Sequence, residues 1–325
     1  MTLDELIELG DLDELVREID RVCERRDWAG LVRLRDRSRA AVSRGKQLWP
    51  AASLAEYRLA LEAPGRFAAV ALEEGAGRFA LGPLPEVAAS THSWSELAPH
   101  LDGGPLAAAV AHERVVRGEN LVADARVPQG VFDPLPLALL PWEPAAFPLA
   151  TYAADGVDAP MPALPATSPV ELPAAPASRL PSVLEAQALT QLADAWVNAS
   201  NGRASVVAVA GSAVDAVAAL GVPAARMGPL TPAEALALMA WTAASGGAHA
   251  RRRGMAAGRF DAWWAAAAMA GLGDDWTPDE LGRAVGELRW YLWDAGEPDT
   301  GWWFRLAVDD PGEGLAWAVS AADAV

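Results

Sequence analysis

Apolar residues recur every three or four positions through most of the first 117 residues, the spacing that places them on one face of an α-helix. Leu15, Ile19, Val22 and Cys23 share one such face, and Trp28, Leu31 and Val32 make another beyond a short junction at Asp27. The spacing predicts helices over 3–9, 12–26, 28–44, 53–62, 94–100 and 105–117, with the second and third folded together as a helical hairpin, the unit from which helical scaffolds stack. Helix starts are marked by capping boxes, in which a Ser or Thr accepts from the amide three residues on and a Glu reaches back. The pattern occurs at Thr2/Glu5, Ser53/Glu56, Ser93/Glu96, Ser182/Glu185, Thr231/Glu234 and Thr277/Glu280.

Beyond residue 182 the rhythm changes. A helical stretch (182–198) leads into the apolar run SVVAVAG (205–211), a short helix (213–221), ARMGPL, and a helix from Thr231, which reads as β-α-β-α. Near the end, Trp302, Phe304, Leu306 and Val308 alternate along one strand, and Leu315, Trp317 and Val319 along another, across the turn DDPGEG. That alternation predicts a β-hairpin. Between the two regions, residues 126–181 hold 13 of the 25 prolines, too many for a regular helix or a central strand.

The expected class is therefore α+β and predominantly helical. An N-terminal all-α helical-hairpin domain (1–125) is followed by a proline-rich connector (126–181), its first half docked and its second half mobile, then by a small mixed-sheet α/β domain (182–325) holding ten of the 14 tryptophans. Phe132, Leu135, Trp142 and Phe147 in the first half of the connector are candidate contacts for a protein partner or for self-association.

Composition narrows the function classes. The formal net charge is −17, which opposes nucleic acid, because Lys and Arg contacts to phosphate supply most non-specific affinity. No run of about 18 apolar residues suits a membrane span, and the first residues carry acids where a secretory leader needs a basic stretch and an apolar run. The expected setting is the cytoplasm. A single cysteine excludes an internal disulfide framework, and histidines at 92, 100, 112 and 249 have no zinc-ligand spacing, so neither metal nor cofactor is expected. AHERVV lacks a second histidine at i+4, SRGKQ lacks the glycine and hydroxyl of a phosphate loop, and VAGSAVD is neither a nucleophile elbow nor a dinucleotide fingerprint. The six basic residues in 30–46 face the acids of the preceding helix in the expected hairpin.

One stretch runs against the acidic background. In SGGAHARRRGMAAGRF (245–260) three arginines and a histidine stand between glycines. Read as the start of a helix running to about Gly271, they place His249, Arg252 and Arg253 on the side that carries Phe260, Trp263 and Trp264, with cations at the unfavourable end of the helix dipole. A countercharge is required. Asp261, Asp274, Asp275, Asp294, Glu297 and Asp299 are the internal candidates, and a small anionic ligand is the external one. For that case His249, Arg251, Arg252, Arg253 and Arg259 form the candidate anion site, with His249 as proton carrier and Gly211 and Ser212 at a helix start adding amide donors. A sugar platform of tryptophans with paired carboxylates is a weaker reading of the same region. With every catalytic motif absent, the expected role is a non-catalytic interaction or scaffold protein. The alternative is a domain or enzyme for a phosphorylated or carboxylated small molecule held by the arginines.

Overall fold

The structure is a computed structural model that describes residues 2–181, 183–273, 275–296 and 301–324. The chain forms two units: Met1–Val131 with Leu149–Ala159, and Phe132–Pro148 with Pro160–Val325. The proline-rich stretch is thus shared between them.

The first unit is helical. Helices α1 (Leu3–Leu9), α2 (Leu12–Glu24), α3 (Trp28–Ser43), α4 (Trp49–Glu62), α5 (Gly65–Ala68), α6 (Leu84–Thr91), α7 (Trp94–Leu97) and α8 (Gly104–Val116) are joined by a small antiparallel ladder of β1 (Thr151–Tyr152) and β2 (Val157–Asp158). Leu15, Ile19, Val22 and Cys23 are buried along α2, and Leu31, Leu34 and Ala41 along α3. Both helices also pack on α4, which is buried over most of its length. Burial pushes the Cys23 thiol up to about 11, so it is a core hydrophobe at neutral pH. The basic run on α3 finds its acids mainly elsewhere than on α2: Arg37 meets Asp4 at 2.7 Å, and Arg35 and Arg39 converge on Glu56 and Glu73. The acids of α2 pair largely within their own helix, as in Arg17–Glu14 and Arg21–Glu18.

Capping boxes form at Thr2, Ser93, Thr231 and Thr277. Ser53 departs from expectation. The helix begins four residues earlier at Trp49, with Pro50 in its first turn, and Ser53 is buried within it. Its partner Glu56 accepts instead from Arg39 and from the Gly77 amide. Ser182 lies outside the described residues.

The second unit is a sheet covered on both faces. Its strands are β3 (Ser168–Val170), β4 (Arg203–Ala210), β5 (Ala225–Leu230), β6 (Arg289–Asp294), β7 (Trp302–Asp310) and β8 (Leu315–Asp323), in the order β3-β5-β6-β7-β8-β4. All its ladders are antiparallel, where a β-α-β reading implies a parallel neighbour. The reason is insertion: β6, β7 and β8 lie between β5 and β4, so the two strands of that reading are not neighbours. β3 holds Pro169 at a sheet edge, where a residue without an amide donor is tolerated. The expected hairpin is β7–β8. Across one face run Trp290, Val308, Trp317 and Ala208 in direct register, and across the other Tyr291, Ala307, Ala318 and Val207. The second face packs on α11 (Ala213–Ala219). The first lies toward α12 (Pro232–Ala244), whose Trp241 stacks on Trp302 at 5.2 Å. Behind α12 lies α13 (Met255–Met269), flanked by α9 (Leu184–Gln191) and α14 (Pro278–Glu287), while α10 (Asp194–Ala199) sits by β4 and β8.

Candidate functional site

The arginine segment is not helical. α12 ends at Ala244, capped by Ser245, and α13 begins only after Gly254, whose φ of +94° suits glycine. Arg251, Arg252 and Arg253 therefore occupy the connection between two helices, held by Ala250 N–H donating to Gly246 O and Arg253 N–H to Ala244 O. A glycine pair and a positive-φ glycine on either side of the run keep helical geometry from extending through it, so the expected clash with the helix dipole does not arise. Gly258 sits where the two helices meet: a Cβ there would stand 2.2 Å from Ala240 O, so only glycine lets α13 cross α12 so closely.

The candidate cations separate in space. His249 and Arg251 are exposed, and Arg252 is half-buried. Arg259 is fully buried and answered within the chain. Its Nε and Nη2 donate to the two oxygens of Glu143 at 2.7 Å each, and Nη1 and Nη2 donate to the carbonyls of Pro136 and Ala138 at 3.1 Å. Trp263 Nε1 donates to the same carboxylate at 2.8 Å. A forked, two-bond pair of this kind is the strongest geometry open to a buried guanidinium. The countercharge is thus Glu143, which none of the internal candidates included. It is the sole acid between Asp133 and Asp155.

Arg253 stands differently. Its Nη1 donates to Asp261 Oδ2 at 2.5 Å, with the arginine side chain 36% exposed and the aspartate 3%. Gln191 Nε2 holds the other oxygen of Asp261 at 3.1 Å. Burial pushes the Asp261 carboxyl above the ordinary carboxylate range, while Arg253 and the Gln191 amide pull it back. Arg253 also lines an open cleft of 590 Å³ with Gln187, Thr190, Gln191 and Asp194. The latter four come from the second half of α9 and the first residue of α10, and sequence reasoning missed them, because nothing local says that α9 packs beside α13. Asp194 Oδ1 accepts from Asn198 at 2.6 Å.

Gly211 and Ser212 belong elsewhere. Ser212 lines a separate cleft with Asp309 and Tyr291, which shares no lining residue with that of Arg253. The amides at this helix start are already taken: Ser212 N–H donates to Asp215 Oδ2 at 2.8 Å, and Ala213 N–H to Asp309 Oδ1. The expected open anion nest is therefore filled by the protein's own carboxylates. Of the carboxylates near the tryptophans, Asp294 pairs with Arg305 at 3.3 Å and Asp261 with Arg253. Asp274, Glu297 and Asp299 lie outside the described residues.

The connector side chains are spent on packing in their own unit. Leu135 and Phe147 are buried, Phe132 meets Phe260 edge-on at 6.3 Å, and Trp142 packs on Trp263 at 4.7 Å. Gly282 of α14 makes room for the Trp142 indole, which a Cβ would approach to 2.4 Å. His92 is bonded to the Ala63 carbonyl at 2.7 Å, and His112 is buried. Among the described residues no cluster of His, Cys, Asp or Glu suits a metal, and no helix is long and apolar enough to cross a membrane.

A protein-family model described as a family of unknown function (DUF6183) matches residues 13–312. No curated protein and no solved structure matches the chain.

Proposed function

The chain belongs to this family, whose description names no activity, and from the geometry we propose that the protein is a small-molecule-binding protein that holds a carboxylated compound in the Arg253 cleft. One observation carries the reading: Arg253 is fixed from behind by a buried carboxylate that Gln191 fixes in turn, while a third of its own side chain remains exposed in a cleft. A guanidinium whose orientation is already set loses less freedom on meeting a carboxylate, and its planar fork suits that group. Asp194 on the same cleft disfavours a doubly charged phosphate. It favours a ligand that carries a hydroxyl or ammonium beside its carboxylate, for which the side chains of Gln187 and Thr190 supply further hydrogen-bond partners.

An interaction or scaffold role has less support, since the apolar side chains that motivated it, Leu135 and Phe147 above all, are buried in their own unit. Binding without catalysis, in a cytoplasmic setting, completes the proposal; the lone buried thiol agrees with that setting. Thermal-shift screening of the full chain against amino acids, hydroxy acids and sugar acids tests it. A ligand at 100 times its Kd adds about 2.7 kcal/mol, which raises the Tm by roughly 5 °C or more. Arg253→Ala should abolish the shift. A shift that survives this substitution, or none with any carboxylate, refutes the assignment.

A further inference from the structure

A second cleft in the same unit, of 260 Å³, is lined by Phe260, Trp263, Trp264 and Trp276 together with Pro134, Leu135 and Asp133. We propose that it binds the quaternary ammonium group of a small molecule. Phe260, Trp263 and Trp264 stand at i, i+3 and i+4 on α13 and so share one helix face. Trp276 arrives from the segment before α14, its ring 6.1 Å from that of Trp263. Trp263 is 2% exposed and already receives the Arg259 guanidinium at 5.3 Å and Trp142 at 4.7 Å. It forms the floor, and the half-buried Phe260, Trp264 and Trp276 form the walls.

The lining chemistry selects the guest. Aromatic faces are electronegative and attract cations, the one charged residue of the lining among the described residues is the acid Asp133, and the whole chain carries −17. Anions are therefore disfavoured. A primary ammonium or a sugar brings several N–H or O–H groups that need acceptors when removed from water, and a single carboxylate cannot supply them. A quaternary ammonium has none to satisfy, and its methyl groups gain from leaving water. The volume is just below the roughly 300 Å³ at which ordinary small-molecule pockets begin, which suits a head group rather than a nucleotide-sized cofactor. This cleft shares no residue with that of Arg253, so it stands whether or not a carboxylate binds there.

Titration of the full chain with choline and tetramethylammonium, followed by tryptophan fluorescence and calorimetry, tests the proposal. The neutral carbon isostere of choline, dimethylbutanol, serves as the control. Choline should bind saturably, with the isostere about 10-fold weaker, the share expected of a partly desolvated cation–π contact. Trp276→Ala and Trp264→Ala should each weaken choline about 10-fold. Asp133→Asn should weaken it a few-fold, with a difference that shrinks as salt rises. Circular dichroism checks the fold of each variant, and if Trp264→Ala fails to fold, the half-buried Trp276 decides. No saturation by about 10 mM, equal affinity for the isostere, or unchanged affinity in folded Trp276→Ala overturns the proposal.

Discussion

Glu143 and Arg259 show what one buried residue can decide. They lie 116 positions apart, both side chains have no exposed surface, and four hydrogen bonds hold the guanidinium. Removing one charge from such a pair costs about 3–5 kcal/mol, because the other stays buried without compensation. Glu143→Gln keeps an acceptor for the Trp263 indole yet strands the cation, so urea unfolding should show a loss of about 3–5 kcal/mol. The double variant Glu143→Leu with Arg259→Met should lose less than either single change, the mark of strong coupling. A loss below about 1 kcal/mol in Glu143→Gln would mean that the two carbonyls alone satisfy the guanidinium. That a countercharge was needed could be read from the chain, since cations on the side that carries the tryptophans cannot stay bare. Its identity could not, because proximity across so long a separation is set by how α13 and the 132–148 segment pack.

Elements were the most legible scale, because helix starts are local chemistry. A Thr and a Glu three residues apart satisfy one another's amides whatever the rest of the chain does, and four of the expected capping boxes form. Ser53 failed since the same pattern can be overrun by a helix that starts earlier on Trp49 and Pro50. The arginine run failed for the converse reason: glycines at 246, 247 and 254 uncouple it from both neighbouring helices. Glycine inside a helix has two meanings, and a pair of substitutions separates them. Alanine is the better helix former by about 1 kcal/mol, so Gly286→Ala, with open space around its would-be Cβ, should gain up to that amount. Gly258→Ala drives a Cβ against Ala240 O and the Ala244 methyl, and overpacking of this kind costs about 1–3 kcal/mol. Thermal melts should therefore move in opposite directions for the two variants. A stabilised Gly258→Ala would refute the close crossing of α12 and α13.

At the scale of the whole molecule, the charge of −17 sets what the protein meets easily. Without a surplus of cations there are few phosphate counterions to release, so fluorescence anisotropy should show no binding to duplex DNA at about 0.15 M salt, weaker than the roughly 10⁻⁴ M of ordinary non-specific binders. Saturable micromolar binding would contradict this. The α+β class, the helical first unit and the β7–β8 hairpin were determined by the sequence itself, because hydrophobic period and turn residues act within a few positions of one another. Tertiary structure alone decided the antiparallel strand order, the capture of Arg259 by Glu143, the fixing of Arg253 by Asp261 and Gln191, and the gathering of Trp276 with Trp264. Each joins groups whose meeting depends on which faces bury one another, and burial is a property of the assembled layers that no local window of residues contains.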